Sequence, residues 1–182
     1  NFKQITFRKV ILAFERRYLY YRWALLYPLM RHLFPVKRNK VCIMSWFGAN
    51  FNCNPKALAV YMSNQVHDLA CRVIVIVNNP RIYQDEYQNI DFIRTLSLKH
   101  IYSLATCRVF IANVRMPSFH KRKGQYYIQT WHGTGPKKSE KDSIDSLSKS
   151  YVESAILDCK QTDLMISGSA YFSNWIKHST WY

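Results

Sequence analysis

The chain has 182 residues, a formal net charge of +15, 48% hydrophobic residues and 15% aromatic residues. That apolar content excludes a disordered chain, and only 5 Gly and 6 Pro exclude a collagenous or low-complexity one. The length suits one domain, alone or with an appendage, and does not hold two full nucleotide-binding-sized domains. Residues 1–40 carry 10 Lys/Arg with Glu15 as the lone acid, and residues 92–139 carry 9 Lys/Arg and no acid. Two such blocks point to an anionic partner, a membrane surface or a polyanion; a basic soluble surface with no specific partner reads the same way. The five cysteines, at 42, 53, 71, 107 and 159, are odd in number and form no CxxC pair. They read as a reduced complement, with Cys42, Cys71 and Cys107 packing in or beside apolar runs. No HxH or HExxH arrangement occurs, so no metal site is expected.

The first element is a long helix from about Lys3 to Met30. Phe7, Val10, Ile11, Phe14, Tyr18, Tyr21 and Leu25 recur at three- and four-residue steps and so share one face. Arg8, Lys9, Glu15, Arg16 and Arg22 fall mostly on the other, and Pro28 and Pro35 limit the helix. Charges interrupt every candidate signal-peptide core. The uncharged run Trp23–Met30 is eight residues long, where a span needs about 20. Two placements follow. The helix lies in the membrane interface, with Arg8, Lys9, Arg16 and Arg22 at anionic headgroups and Trp23 at the boundary, or it packs on its own domain or a partner, and both can hold on different faces.

From Lys40 short apolar runs alternate with helical ones. Strands are expected at Val41–Trp46, Arg72–Val77, Asp91–Arg94, Arg108–Ala112, Tyr126–Thr130 and Asp163–Ser167. Helices are expected from Asn54 (N-cap) and Pro55 (N1) to about His67, at Leu98–Ala105, roughly at Ser143–Lys160, and at Ala170–His178. This alternation predicts an α/β, Rossmann-like, doubly wound parallel sheet, with ligands at the carboxyl ends of the strands. That rule selects the loops at 46–54, 78–81, 113–124, 131–138 and 167–169. No GxGxxG or GxxxxGK[ST] is present, so neither a dinucleotide fingerprint nor a P-loop is supported.

The stretch from Gln129 to Lys138 is the richest in chemistry. His132 follows a strand end, on a loop that Gly133 and Gly135 allow to turn tightly, with Lys137 and Lys138 close behind. A histidine beside two cations suits proton abstraction near a phosphate, although a lone loop histidine is often merely structural. Asn113 and Arg115 end a strand at the same edge and are candidates for holding the acceptor, with a turn or capping role the alternative. Trp131 either walls the site or packs. Lys121, Arg122 and Lys123 form a basic loop that guides a polyanion or is simply solvated.

Tyr127–Thr134 followed by Lys137 and Lys138 resembles the signature of the CDP-glycerol glycerophosphotransferases, the teichoic acid and capsule polymerases. Ser45-Trp-Phe-Gly48 with Asn54-Pro-Lys-Ala57, the strand Val109–Asn113 with Arg115 and Pro117, and Leu164–Ser169 resemble further pieces of that family in its order. The resemblance covers about 41–182, with one departure: Gly135-Pro136 displaces the family's proline by one position.

The resemblance implies the N-terminal, acceptor-side half of a GT-B-like architecture. Residues 1–40 would be a basic anchor and 41–182 the Rossmann-like domain, without the C-terminal donor-binding domain, so that this fragment alone would be inactive. It implies transfer of glycerol phosphate from CDP-glycerol, the donor substrate, to a polyol-phosphate acceptor on a lipid carrier, with release of CMP, at the cytoplasmic face of the membrane. No covalent cofactor, metal or nucleic acid is implied. His132 would be the catalytic base, with Trp131, Gly133, Thr134, Lys137, Lys138, Asn113 and Arg115 holding acceptor or phosphate. Two alternatives stay open: a basic nucleic-acid-binding module, and a related transferase using a ribitol or sugar-phosphate donor.

Overall fold

The computed structural model describes residues 18–19, 21–65, 69–116, 118–133 and 139–182. Its centre is the β-branched run Arg72–Val77 (β2), whose last five residues are all buried. Beside it lie β1 (Lys37–Met44) and β3 (Ile90–Arg94), and on the far side of β1 lie β4 (Cys107–Ala112), β5 (Tyr126–Gln129) and the two-residue β6 (Leu164–Met165). The sheet order is β3-β2-β1-β4-β5-β6, and every pairing is parallel. Such a sheet must be covered on both faces, which is why its strands read as continuous apolar runs. Cys42, Met44, Ile74, Ile76, Phe110 and Ala112 point to one face, where Tyr27, Ile101 and Leu104 pack on them. Val41, Ile43, Val73, Val75 and Ile111 point to the other, against Phe51 and Ala59.

The helices are α1 (helical at 18–19 and 21–33), α2 (Cys53–Asn64), α3 (Leu98–Thr106), α4 (Lys149–Gln161) and α5 (Ala170–Ser179). Three begin with a serine whose hydroxyl accepts the N–H three residues on: Ser97 from His100, Ser148 from Tyr151 and Ser169 from Phe172.

Several element ends differ from expectation. Helix α1 runs past the expected end at Met30 to residue 33, and the cost of Pro28 inside it is offset by packing, with Tyr27 (1% exposed) and Met30 in the core. Its stretch before residue 18 lies outside the described residues. The stripe of Tyr18, Tyr21 and Leu25 is not the face that packs on the domain: Trp23, Leu26, Tyr27 and Met30 pack inward, while Tyr18, Tyr21, Leu25, Leu29 and Leu33 are exposed. Strand β1 begins at Lys37 and ends before Trp46. Helix α2 starts at Cys53 with Asn52 at its N-cap, so Pro55 falls at the third helical position and Asn54 caps nothing. The expected Ser143–Lys160 helix is two pieces, a 3-10 stretch at Glu140–Ser146 and α4.

Helix α1 runs antiparallel to the strands. Near its end, Arg122 donates to the carbonyls of Arg31 and Phe34 at the amino edge of the sheet. Near its start, Leu19 and Trp23 border a groove of about 850 Å³ together with Met44, Asn78 and Leu96 at the carboxyl edge. His100 lies in that groove's wall, 3% exposed, and takes the Leu96 N–H on Nδ1. Burial pushes its pKa down from 6.5 to about 4.

The unfolded chain therefore binds this proton more readily than the folded one, so the His100 contribution is full above pH 6.5 and is lost as pH falls toward 4. The loss expected is on the order of 2–3 kcal/mol. In urea unfolding from pH 7.5 to 4.5, the wild type should lose that amount relative to His100→Gln; parallel curves for the two proteins would contradict the assignment.

Candidate active site at the crevice between β1 and β4

The strand order reverses between β1 and β4, and in open α/β sheets such a reversal leaves a crevice at the carboxyl ends. Two loops form its sides. After β1, Trp46 and Phe47 take left-handed backbone angles (φ 47 and 55) and lead into Gly48 (φ 85). A Cβ at Gly48 would sit 2.3 Å from the Thr95 methyl and 3.4 Å from the Ile76 carbonyl, so only glycine passes here without displacing a neighbour. After β4, the fully buried Asn113 accepts the Trp46 N–H on Oδ1 at 2.9 Å, tying the two loops together.

Strand β5 delivers the third loop. Gln129 is fully buried, donating to the Val114 carbonyl and accepting the Trp131 N–H at 3.0 Å. That bond supports Trp131 at φ 53, a left-handed angle that costs a bulky residue of order 1–3 kcal/mol. The bend lets the chain turn outward at once, and Gly133 continues it at φ 112. Asn54, expected at a helix cap, instead donates to the Thr130 carbonyl and pins the start of α2 to the same strand end.

His132 stands between two indoles. Its ring stacks on Trp131 (centroids 4.8 Å, 21° between planes) and tilts against Trp46 (4.9 Å, 55°), while remaining exposed. Its Nδ1 lies 2.8 Å from the carbonyl oxygen of Asn113. A carbonyl oxygen only accepts, so Nδ1 carries the proton and Nε2 holds the free lone pair. The ring opens on a pocket of about 440 Å³ whose wall includes Phe47, Arg115, Trp131, Glu140 and Tyr151.

The other expected site residues divide sharply. Trp131 both walls this pocket and packs, 7% exposed, against Trp175 and Tyr182. Asn113 presents no side chain to the pocket; its role is to hold Trp46 and His132. Arg115 is not a free phosphate ligand: it pairs with Glu140, donates to the Tyr151 hydroxyl and lies over the Trp131, Tyr151 and Tyr182 rings. Thr134, Lys137 and Lys138 lie outside the described residues, as do Arg8, Lys9 and Arg16. Arg22 donates to the Leu96 carbonyl, and Trp23 stacks on Tyr27, so both engage the protein itself. The Lys121–Lys123 loop sits at the amino edge, opposite His132, with Lys121 on Asp163 and Arg122 on α1.

Glu140 is the residue that sequence reasoning missed. It is 4% exposed and held at φ 43, inside a stretch whose polarity reads as surface. Behind Arg115, the carboxylate of Asp158 accepts the Met116 N–H and the Tyr127 and Tyr182 hydroxyls, and burial raises its pKa. Among the described residues no group of three or more His, Cys, Asp or Glu could hold a metal ion, and no helix is long and apolar enough to cross a membrane.

Comparison with known proteins matches this architecture. The family profile of the CDP-glycerol:poly(glycerophosphate) glycerophosphotransferases matches residues 25–182. The chain is 29% identical over 149 residues to the teichoic acid poly(glycerol phosphate) polymerase of Bacillus subtilis strain 168, covering 79% of this chain and 20% of that protein. It is 26% identical over 145 residues to the polymerase of the same description from Bacillus spizizenii, covering 76% and 37%. A solved structure of the wall teichoic acid polymerase TagF superposes with a TM-score of 0.73 at 23% identity, over 97% of this chain and 43% of that one. The chain thus spans well under half the length of these relatives. A Rossmann-like parallel sheet, a histidine held at its switch point and a profile match over most of its length together place the chain in the CDP-glycerol:poly(glycerophosphate) glycerophosphotransferase family.

Proposed function

We propose that the intact protein transfers glycerol phosphate from CDP-glycerol to the terminal hydroxyl of a polyol-phosphate chain, releasing CMP, in teichoic acid or capsule polymer synthesis. Family membership supports the reaction class. The observation that carries the mechanism is the His132 Nδ1 contact with the Asn113 carbonyl, which leaves Nε2 as a proton acceptor at the pocket. Nε2 takes the proton of the acceptor hydroxyl while that oxygen bonds to the β-phosphorus of CDP-glycerol. The bond from that phosphorus to the bridging oxygen breaks, and CMP leaves with the electron pair. The two flanking indoles fix the ring's plane, so little orientation is lost in reaching the transition state. Lys137 and Lys138, close behind His132 in the sequence, supply positive charge suited to the phosphates of acceptor and donor. Glycerol phosphate is the unit the family description names. Ribitol- or sugar-phosphate donors would use the same base.

The acceptor is proposed to be lipid-linked, and the protein to sit peripherally on the cytoplasmic face of the membrane. Supporting this is the outer face of α1, where Tyr18, Tyr21, Leu25, Leu29 and Leu33 are exposed at helical spacing. This face, together with the basic residues Arg8, Lys9 and Arg16, has the composition of an interfacial helix. Because α1 runs antiparallel to the strands, its start lies at the same sheet edge as His132.

In the intact protein, His132→Ala should lower kcat for CMP release from CDP-glycerol by at least about 10² with an unchanged melting temperature. A folded variant with near-normal turnover would refute the base assignment, and faster CMP release from CDP-ribitol than from CDP-glycerol would refute the donor. Removing all of residues 1–34 would strip Tyr27 from the core, so the membrane reading is better tested by Leu25→Glu with Leu29→Glu. Flotation on vesicles with anionic lipid should fall at least about tenfold while the melting temperature holds; unchanged flotation would remove the interface claim.

A further inference from the structure

We infer that Arg115 and Glu140 form a clasp that holds Trp131 flat against His132, which makes Glu140 a positioning residue for the base. The consequence for turnover rests on the proposed reading of His132; the clasp itself does not.

The geometry anchors His132 and Glu140 on one short piece of chain. His132 meets the carbonyl of Asn113, and Glu140 pairs with Arg115, two residues further along the same segment. The pair is desolvated, with side-chain exposures of 12% for Arg115 and 2% for Glu140. Glu140 reaches it through a left-handed backbone angle of 43°, strain that a surface acid would not need. The guanidinium lies 5.0 Å from the Trp131 ring centre, 5.5 Å from that of Tyr151 and 5.7 Å from that of Tyr182, and donates to the Tyr151 hydroxyl at 2.9 Å. Trp131 therefore has a cation on one side and the His132 ring stacked beside it at 4.8 Å.

The chemistry explains why an arginine stands here with an acid opposite. A planar guanidinium stacks on an indole and leaves its N–H edge for a carboxylate, which a lysine cannot do. Without Glu140, a buried cation would sit unpaired beside the substrate pocket and bind substrate phosphate instead of the indole. With Glu140, the guanidinium is neutralised and serves as a wall. Phosphate binding is thereby left to other cations.

Removing one partner of a buried pair is costly, whereas replacing both with apolar groups is often neutral for stability. The test uses the intact protein as Glu140→Gln, as Arg115→Met, and as the double variant Arg115→Met with Glu140→Met. Melting temperature, amide hydrogen exchange at 131–133 and 139–140 without substrate, and kcat and KM for CMP release are measured. Each single variant should lower the melting temperature, speed exchange at least tenfold and lower kcat at least tenfold. The double variant should regain most of the melting temperature while exchange stays fast and kcat stays low. Recovery of kcat together with stability in the double variant would overturn the proposal, as would unchanged exchange in the single ones. A raised acceptor KM with normal kcat in Arg115→Met would show a phosphate ligand instead, and would also overturn it. Wild-type protein that released no CMP would refute the transfer reading, and the exchange data would still decide the clasp.

Discussion

A single hydrogen bond organises the site: His132 Nδ1 against the carbonyl oxygen of Asn113. It fixes the tautomer, and so decides which nitrogen is free to take a proton. It is available only because β4 ends beside β5 with its last carbonyls facing the loop that β5 delivers. Asn113 is itself held by the Trp46 N–H on its side chain, so one residue sets the relation between the loops after β1, β4 and β5. The β1–β4 crevice is where the winding of the sheet reverses, and no flanking helix can fill it. The fold leaves a gap there, and three strained or tightly bonded loops line it.

Strain recurs around this gap. Trp46, Phe47 and Trp131 all occupy left-handed backbone angles, and so does Glu140. Each is unfavourable for a side-chain-bearing residue, and neighbours fix three of them: Asn113 on the Trp46 N–H, Gln129 on the Trp131 N–H, Arg115 on the Glu140 carboxylate. The gain is a ring clamped between two indoles yet open to solvent, the arrangement a general base requires.

The fold was largely legible in the chain, because fully buried parallel strands announce themselves as continuous β-branched runs; Arg72–Val77 is the plainest case. Strand ends were less so: β1 begins with Lys37, Arg38 and Asn39, whose polarity masks their pairing, and β6 is held by only two residues. His132 was legible as a residue after a strand end. Its partner was not, because the contact is to a backbone carbonyl nineteen residues earlier, which no side-chain pattern reports. Arg115 read as a phosphate ligand because a sequence shows a cation but not the acid that neutralises it. Glu140 was hidden in a polar run, and the expected cap at Asn54 failed because the helix begins two residues earlier than the Asn-Pro pair suggests. The apolar stripe on α1 was seen, but its neighbours Trp23, Leu26, Tyr27 and Met30 won the core, since a helix apolar on two faces does not declare which one turns inward.

The central claim is that His132 is held as the Nδ1–H tautomer with Nε2 free. The most direct measurement is nitrogen-15 NMR of the His132 ring in the intact protein, at a pH where the ring is neutral. Nδ1 should be protonated and Nε2 unprotonated, with that preference weakened when Gln129→Leu loosens the Trp131 turn. A ring protonated at Nε2, or one exchanging evenly between tautomers in the wild type, would contradict it.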